Sequence, residues 1–133
     1  MAARCNNWPD LLTAYIERKR HEAFAWGSND CCLFAADWVL VSTGRDIAQE
    51  WRGKYATAYA ALRFLKAGGG IENLVERAGG ERVATGLARR GDLVAQDCGD
   101  GVALGVCIGS SAAFVTANGI GFVPFPFGSI WRF

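Results

Sequence analysis

The sequence has little of what would mark it for nucleic acid, membranes or metals. It contains one histidine, and its formal net charge is +1, from 14 basic and 13 acidic side chains in 133 residues. A charge so balanced gives no electrostatic reason to expect binding to nucleic acid. No stretch approaches the roughly 18 apolar residues of a membrane-spanning helix, so we expect no membrane span.

The first ten residues, MAARCNNWPD, lack the apolar core of a signal peptide. We therefore expect synthesis and folding in the cytoplasm, where the five cysteines, an odd number, should be free thiols. There is no C-x-x-C pair, and a single histidine gives no zinc pattern. We expect no zinc site and no cofactor.

Apolar residues make up 51% of the chain and charged residues 20%, which favours one folded domain over residues 1–133. Helix signals fill the first 80 residues. The predicted helices are one that starts at Asn7 before Pro9, one capped by Asn29 or Asp30 and ended by Gly44, AYAALRFLKA capped by Thr57, and IENLVERA.

After Gly80 the pattern changes to short apolar runs separated by Gly, Ser and Asn: GDLVAQ, GVALGVCIG, AAFVTAN and IGFVPF. These runs predict antiparallel strands, with Asn118-Gly119 as a hairpin turn. Helices followed by a small antiparallel sheet indicate an α+β fold. The segment DCGDG, residues 97–101, is interpreted as a tight polar turn, with weak calcium binding as the alternative.

The stretch WGSNDCCLFAADW places two cysteines at the start of the second predicted helix. In the first turn, the unpaired N–H groups and the helix dipole lower the pKa of a thiol, and the same N–H groups are potential oxyanion donors. Cys31 is therefore a candidate nucleophile. Cys32 is offset by about 100° around the helix, so we interpret it as a core residue, with a vicinal disulfide as the alternative.

The segment FAWGSNDCCLFAADWV resembles the nucleophile motif of the NlpC/P60 cell-wall peptidases, a circularly arranged papain-like group. The resemblance implies that Cys31 takes the nucleophile position and Asp30 the acid before it. RRGDLV and ALGVCIG are similar to two strands that follow in that family. The implied fold has N-terminal helices, with the central cysteine-bearing helix packed on a small antiparallel sheet.

The chain departs from the NlpC/P60 pattern where the catalytic partners should be. The family's base histidine maps onto Ala103, and its oxyanion tyrosine maps onto Phe24. The third polar residue maps near Val115 or Thr116. Cys31 is therefore a vestigial nucleophile and Asp30 a helix cap, since a cysteine peptidase needs a base and a proton donor. We lean against enzymatic activity.

A second resemblance runs from about Phe24 to the C-terminus and includes STGRDIAQEWRGKY. The family that it resembles is a small one found in bacteriophage and prophage tail gene clusters, and it is a shortened relative of NlpC/P60. The resemblance implies a non-catalytic tail-tip or baseplate component that binds other tail proteins, such as hub or tail-tip subunits. Such a protein is made in the host cytoplasm and assembled into the virion tail.

The alternative function is an active cysteine hydrolase that cleaves peptidoglycan peptides during infection. Its base would be His21 or a histidine from a partner protein. His21 lies in the charged run ERKRHE, however, and we interpret it as solvent-facing.

The C-terminal segment GFVPFPFGSIWRF is rich in aromatic residues. It either folds back over the sheet or docks a partner protein, because aromatic residues are enriched in interface cores. The candidate partner-binding residues are Phe122, Phe125, Phe127, Trp131 and Phe133.

Overall fold

The computed structural model describes residues 4–97 and 101–133. These residues form four α-helices and six β-strands, which confirms the predicted α+β class. The elements are α1 (Trp8–Lys19), α2 (Cys31–Thr43), α3 (Ala58–Ala67), α4 (Ile71–Arg77), β1 (Glu81–Val83), β2 (Leu93–Asp97), β3 (Val102–Cys107), β4 (Ser111–Thr116), β5 (Gly119–Pro124) and β6 (Ser129–Arg132).

All neighbouring strands are antiparallel, in the order β1-β6-β2-β3-β4-β5. The last strand therefore lies inside the sheet, where β6 pairs with β1 on one side and β2 on the other. Neither β1 nor β6 was predicted from the sequence. The Asn118-Gly119 turn joins β4 to β5 as predicted, with Gly119 at φ +107°.

Helix α2 is the central helix because it is apolar nearly all round. Phe34 and Trp38 are fully buried, and the helix packs across β3. The Trp38 indole N–H donates to the Gly91 carbonyl at 2.9 Å, which joins α2 to the loop before β2. Gly44, at φ +79°, ends the helix in the left-handed conformation that the sequence predicted.

The sheet presents two apolar faces, and β3 contributes to both because side chains alternate along a strand. Leu104 and Val106 pack in the larger cluster, which contains the buried face of α2. Ala103 and Cys107 belong to a second cluster that contains no residue of α2. The other buried members of that cluster are Val94, Ala112, Phe114, Phe127 and Ile130.

A buried carboxylate ties the N-terminal segment to the last strand. Asp92 is 0% exposed and accepts hydrogen bonds from Arg4 at 3.0 Å and from Arg132 at 2.9 and 2.7 Å. The backbone N–H of Arg89 adds another at 2.8 Å. A charge buried this deeply is tolerated because it is paired and fully hydrogen-bonded.

In the part of the chain that the structure describes, no helix combines the length and apolarity needed to cross a bilayer. Cys5, Cys31, Cys32 and Cys107 are free thiols. Cys98 and most of the predicted 97–101 turn lie outside the described residues.

Candidate functional site

The candidate site is the N-terminus of α2, and Asp30 fixes its backbone. Asp30 is the N-cap residue, with extended backbone and a side chain that is 1% exposed. One carboxylate oxygen accepts the Leu33 N–H at 3.0 Å, and the other accepts the Gly27 N–H at 2.9 Å. The sequence prediction of Asp30 as a helix cap is therefore confirmed, and the cap also holds the preceding turn.

The turn before α2 depends on a glycine and a buried amide. Gly27 has φ +80°, and a Cβ there would collide with the carbonyl oxygen of Tyr55. Asn29 is 3% exposed and donates to the carbonyls of Glu22 and Ala23 at 3.1 and 3.0 Å. The chain segment that leads into Cys31 is thus fixed by hydrogen bonds to Asp30 and from Asn29.

Cys31 is the first residue of α2, and its side chain is half-buried. The Cys32 thiol and the backbone N–H of Leu104 are the neighbouring groups that lower the pKa of the Cys31 thiol. The Cys32 hydrogen bond is the largest influence, and it lowers the pKa of Cys31 against the opposing effects of burial and the Asp30 charge. The surroundings of Cys31 therefore hold the pKa of its thiol below the usual range.

Cys32 and Tyr55 complete the surroundings of Cys31. The hydrogen bond to Cys31 and then burial raise the pKa of the Cys32 thiol, so this group stays protonated and acts as the donor. Tyr55 is 7% exposed, and its hydroxyl lies within hydrogen-bonding reach of Asp30. Burial is the main cause of its raised pKa, and the negative charge of Asp30 adds to it.

Tyr55 was missed at the sequence level. It lies in the loop between α2 and α3, and it enters the site only because the chain folds back against the turn at Gly27. The feature of the sequence that could have indicated it is its place at the end of STGRDIAQEWRGKY, a segment of the second family resemblance. Beside it runs an open groove of about 580 Å³, lined in part by Trp26, Thr57 and Ala60.

Ala103, which the sequence comparison maps onto the family's base histidine, lies near the start of β3. Its side chain packs with the second cluster, on the face of β3 that lacks α2. The residue of β3 beside the Cys31 sulfur is Leu104, which meets it through the backbone. The interpretation of Ala103 as the residue in place of the base histidine stays a prediction; in the structure its side chain lies on the opposite face of β3 from Leu104, because side chains alternate along a strand.

The remaining mapped positions carry no group aimed at the thiol. Phe24 is half-buried and stacks edge-to-face on Trp26, with ring centroids 4.6 Å apart. Val115 is buried in the larger cluster. The Thr116 hydroxyl donates to the Gly119 carbonyl at 2.7 Å, so it serves the β4–β5 turn.

His21 is exposed, as the sequence analysis expected for a solvent-facing residue. It lies beside the β4–β5 turn, since a Cβ on Gly119 would come within 3.2 Å of the His21 Cα. The groups that shift the pKa of Cys31 within the described structure are Cys32, Leu104 and Asp30, and His21 is not among them.

The C-terminal aromatic residues do not form one surface. Phe127 and Trp131 are 6% and 0% exposed, and Phe133 is half-buried against the larger cluster. Phe122 and Phe125 are 55% and 50% exposed. The expected aromatic partner surface is therefore reduced to these two residues, because β6 carries Trp131 into the interior of the sheet.

Comparison with known families gives one match, to the family described as Domain of unknown function (DUF6950), over residues 3–133. Comparison with curated proteins gives no match. Because the family match spans nearly the whole chain, including α2 and every strand of the sheet, the chain belongs to the DUF6950 family.

Proposed function

We propose that this chain is an NlpC/P60-like domain that has lost peptide hydrolysis and serves as a structural component of a bacteriophage tail tip or baseplate. The fold part of the proposal is supported by the position of Cys31 at the N-terminus of a buried helix that packs across an antiparallel sheet. The matching order of the Asp-Cys and Gly-Asp-Leu-Val segments adds to that support.

The observation that carries the loss of hydrolysis is the set of groups around the Cys31 sulfur. Among the described residues, these groups are the Cys32 thiol, the Leu104 backbone N–H, the Asp30 carboxylate and the Tyr55 hydroxyl. Both Asp30 oxygens already accept backbone N–H bonds in the helix cap. The carboxylate therefore has both oxygens engaged in the helix cap, and within residues 4–97 and 101–133 no imidazole is among the groups that shift the pKa of Cys31.

Hydrolysis of a peptide by a cysteine needs two proton transfers. The thiol must lose its proton before attack, and the leaving amine must gain one before the C–N bond breaks. The Cys32 hydrogen bond eases the first step by lowering the pKa of Cys31. Among the described residues beside the thiol, Cys32 and Tyr55 are poorly suited to donate in the second step, because both have raised pKa values.

A structural role requires a surface for partner proteins, and the exposed rings of Phe122 and Phe125 are suited to it. Phe125 also contacts Phe127 edge-to-face, with ring centroids 5.7 Å apart, so its ring is anchored to the core. Exposed aromatic side chains of this kind are typical interface anchors. The proposed partners are other tail proteins.

The test has two parts. Purified chain is incubated with peptidoglycan, and released peptides are measured by mass spectrometry, with an active NlpC/P60 domain as positive control. Purified tail particles are then analysed for the chain. We expect no released peptides and a constant ratio of the chain to the hub protein. Cleavage that disappears in Cys31→Ala, or tails that lack the chain, would contradict the proposal.

The second candidate is an active cysteine hydrolase, favoured by the lowered pKa of Cys31 and by the Leu104 N–H beside its sulfur. That N–H is placed where an oxyanion donor would be useful. The same incubation separates the two candidates. A hydrolase would release peptides at a rate abolished by Cys31→Ala and unchanged by Cys107→Ala, which removes a buried thiol elsewhere.

A further inference from the structure

We infer that Cys31 and Cys32 form a vicinal dithiol site that chelates a trivalent arsenic centre. The two side chains lie on consecutive residues of the first turn of α2, and both are free thiols. Cys31 is half-buried, whereas Cys32 is 6% exposed. The ligand would therefore approach from the Cys31 side and engage Cys32 second.

Backbone geometry favours a chelate over a disulfide. Consecutive Cα atoms are about 3.8 Å apart, whereas disulfides span Cα atoms about 4.4–6.8 Å apart. A direct bond would also draw the sulfurs to about 2.05 Å, which distorts the first turn of a helix. That turn is held by the Asp30 bond to the Leu33 N–H. An inserted atom bridges the pair with less distortion of that turn.

The number of ligands points to arsenic over zinc. Structural zinc takes four ligands, and no group of three or more His, Cys, Asp or Glu side chains suited to a metal is found within residues 4–97 and 101–133. A trivalent arsenical with one organic substituent needs only two thiolates. Thiolates are soft ligands that select soft, thiophilic centres.

The binding reaction with phenylarsine oxide balances without any oxidant. The Cys31 sulfur attacks arsenic and forms the first As–S bond while the oxygen takes up a proton. Cys32 forms the second As–S bond and gives its proton to the departing oxygen, which leaves as water. Arsenic stays trivalent, and two S–H bonds are replaced by two As–S bonds. The lowered pKa of Cys31 and the protonated Cys32 suit this order of events.

The experiment compares the full chain with Cys32→Ala and with the control Cys107→Ala, which removes a single buried thiol outside the pair. Each protein is labelled with phenylarsine oxide and then challenged with 2-mercaptoethanol or 1,2-ethanedithiol. We expect wild type and Cys107→Ala to keep the arsenical in 2-mercaptoethanol, which has one thiol, and to lose it in 1,2-ethanedithiol, which has two. Cys32→Ala should bind roughly a hundredfold more weakly, because chelation raises the effective thiol concentration.

Tryptic mapping locates the arsenical and does not depend on the folding of a variant. Residues 21–45 contain Cys31 and Cys32 and no other cysteine, and no Lys or Arg lies between their ends. In labelled wild type, both thiols of this peptide should resist maleimide. Loss of the arsenical to 2-mercaptoethanol as fast as from Cys32→Ala, or labelling outside residues 21–45, would overturn the inference.

Discussion

Leu104 acts on Cys31 through its backbone: its N–H lowers the pKa of the Cys31 thiol, while its side chain is fully buried in the core. The central strand therefore supplies the thiol with a donor that stabilises negative charge. A base would have to come from a side chain on the same face of β3. The neighbouring Ala103 faces the other cluster.

Restoring a histidine at position 103 should therefore fail to restore a base. In Ala103→His the imidazole would lie on the face of β3 away from α2, so the pH profile of Cys31 alkylation should match wild type. The measurement is the iodoacetamide rate at Cys31 between pH 5 and pH 10. A further lowering of the pKa of Cys31 in this variant would show that the side chain reaches the thiol after all.

The thiol pKa of Cys31 should depend on Cys32. In Cys32→Ala the S–H donor to the Cys31 sulfur is lost, so the pKa of Cys31 should rise and alkylation at neutral pH should slow. The comparison variant is Cys107→Ala, which leaves the pair intact. An unchanged alkylation profile in Cys32→Ala would mean that Leu104 and the helix end stabilise the thiolate without help.

Removal of the Asp30 cap should destabilise the protein. Asp30→Ala leaves the Leu33 and Gly27 N–H groups without their acceptor, and we expect a loss of about 1–3 kcal/mol in urea unfolding. Asp30→Asn keeps one acceptor oxygen and should lose less. Thr57→Ala, at the more exposed cap of α3, is the matched control and should cost about 1 kcal/mol or less. An equal loss in the free energy of unfolding for Asp30→Ala and Thr57→Ala would contradict the conclusion that Asp30 holds both the helix and the preceding turn.

Stability should fall at alkaline pH because of buried tyrosines. Burial raises the pKa of Tyr15, whose hydroxyl donates to the Phe34 carbonyl at 2.7 Å. Above about pH 10 the unfolded chain loses this proton and the folded chain keeps it, so the free energy of unfolding decreases as pH rises. Below the pKa that Tyr15 has in the unfolded chain, its full contribution to the free energy of unfolding is present.

The alkaline slope can be assigned with paired variants. Tyr15→Phe should flatten the loss of stability between pH 9 and pH 11, measured by urea unfolding at each pH. Tyr59→Phe should leave the slope unchanged, since Tyr59 is 70% exposed. Identical slopes in both variants would assign the alkaline loss to other groups.

The Asp92 pairing should be among the largest single contributions outside the apolar core. Arg132→Met removes two hydrogen bonds to Asp92 and one to the Leu87 carbonyl, and it leaves Asp92 with Arg4 and one backbone N–H. We expect a loss of about 3 kcal/mol, as for other broken buried pairs. Arg20→Met, which breaks the exposed pair with Glu17, should cost under about 0.5 kcal/mol. A comparable cost for both would contradict this ranking.

The helices could be predicted because their ends are local signals. Asp30 and Thr57 cap helices through bonds to residues three positions later, and Gly44 ends α2 in a left-handed conformation. The strands β2 to β5 were also visible as short apolar runs. Their boundaries depend on nearest neighbours in sequence and turn residues, which a single sequence displays.

The site could be predicted only in part because its assembly is not local. Cys31 and Asp30 lie together in sequence, whereas Tyr55 and Leu104 arrive from distant segments. The motif comparison placed Ala103 on β3 but gave no information on its face, since one position of register reverses a side chain. β6 was missed because its pairing partners, β1 and β2, lie more than thirty residues earlier in the sequence.

The interior position of β6 has a consequence for how the molecule assembles. Until Ser129–Arg132 enter the sheet, β1 has no neighbour and β2 keeps one open edge. Trp131 and the Arg132 partner of Asp92 are also missing from the interior until then. Pairings between distant segments form slowly compared with local ones, so we expect β6 to enter the sheet late in folding. Substitutions in Ser129–Arg132 should therefore destabilise the whole core.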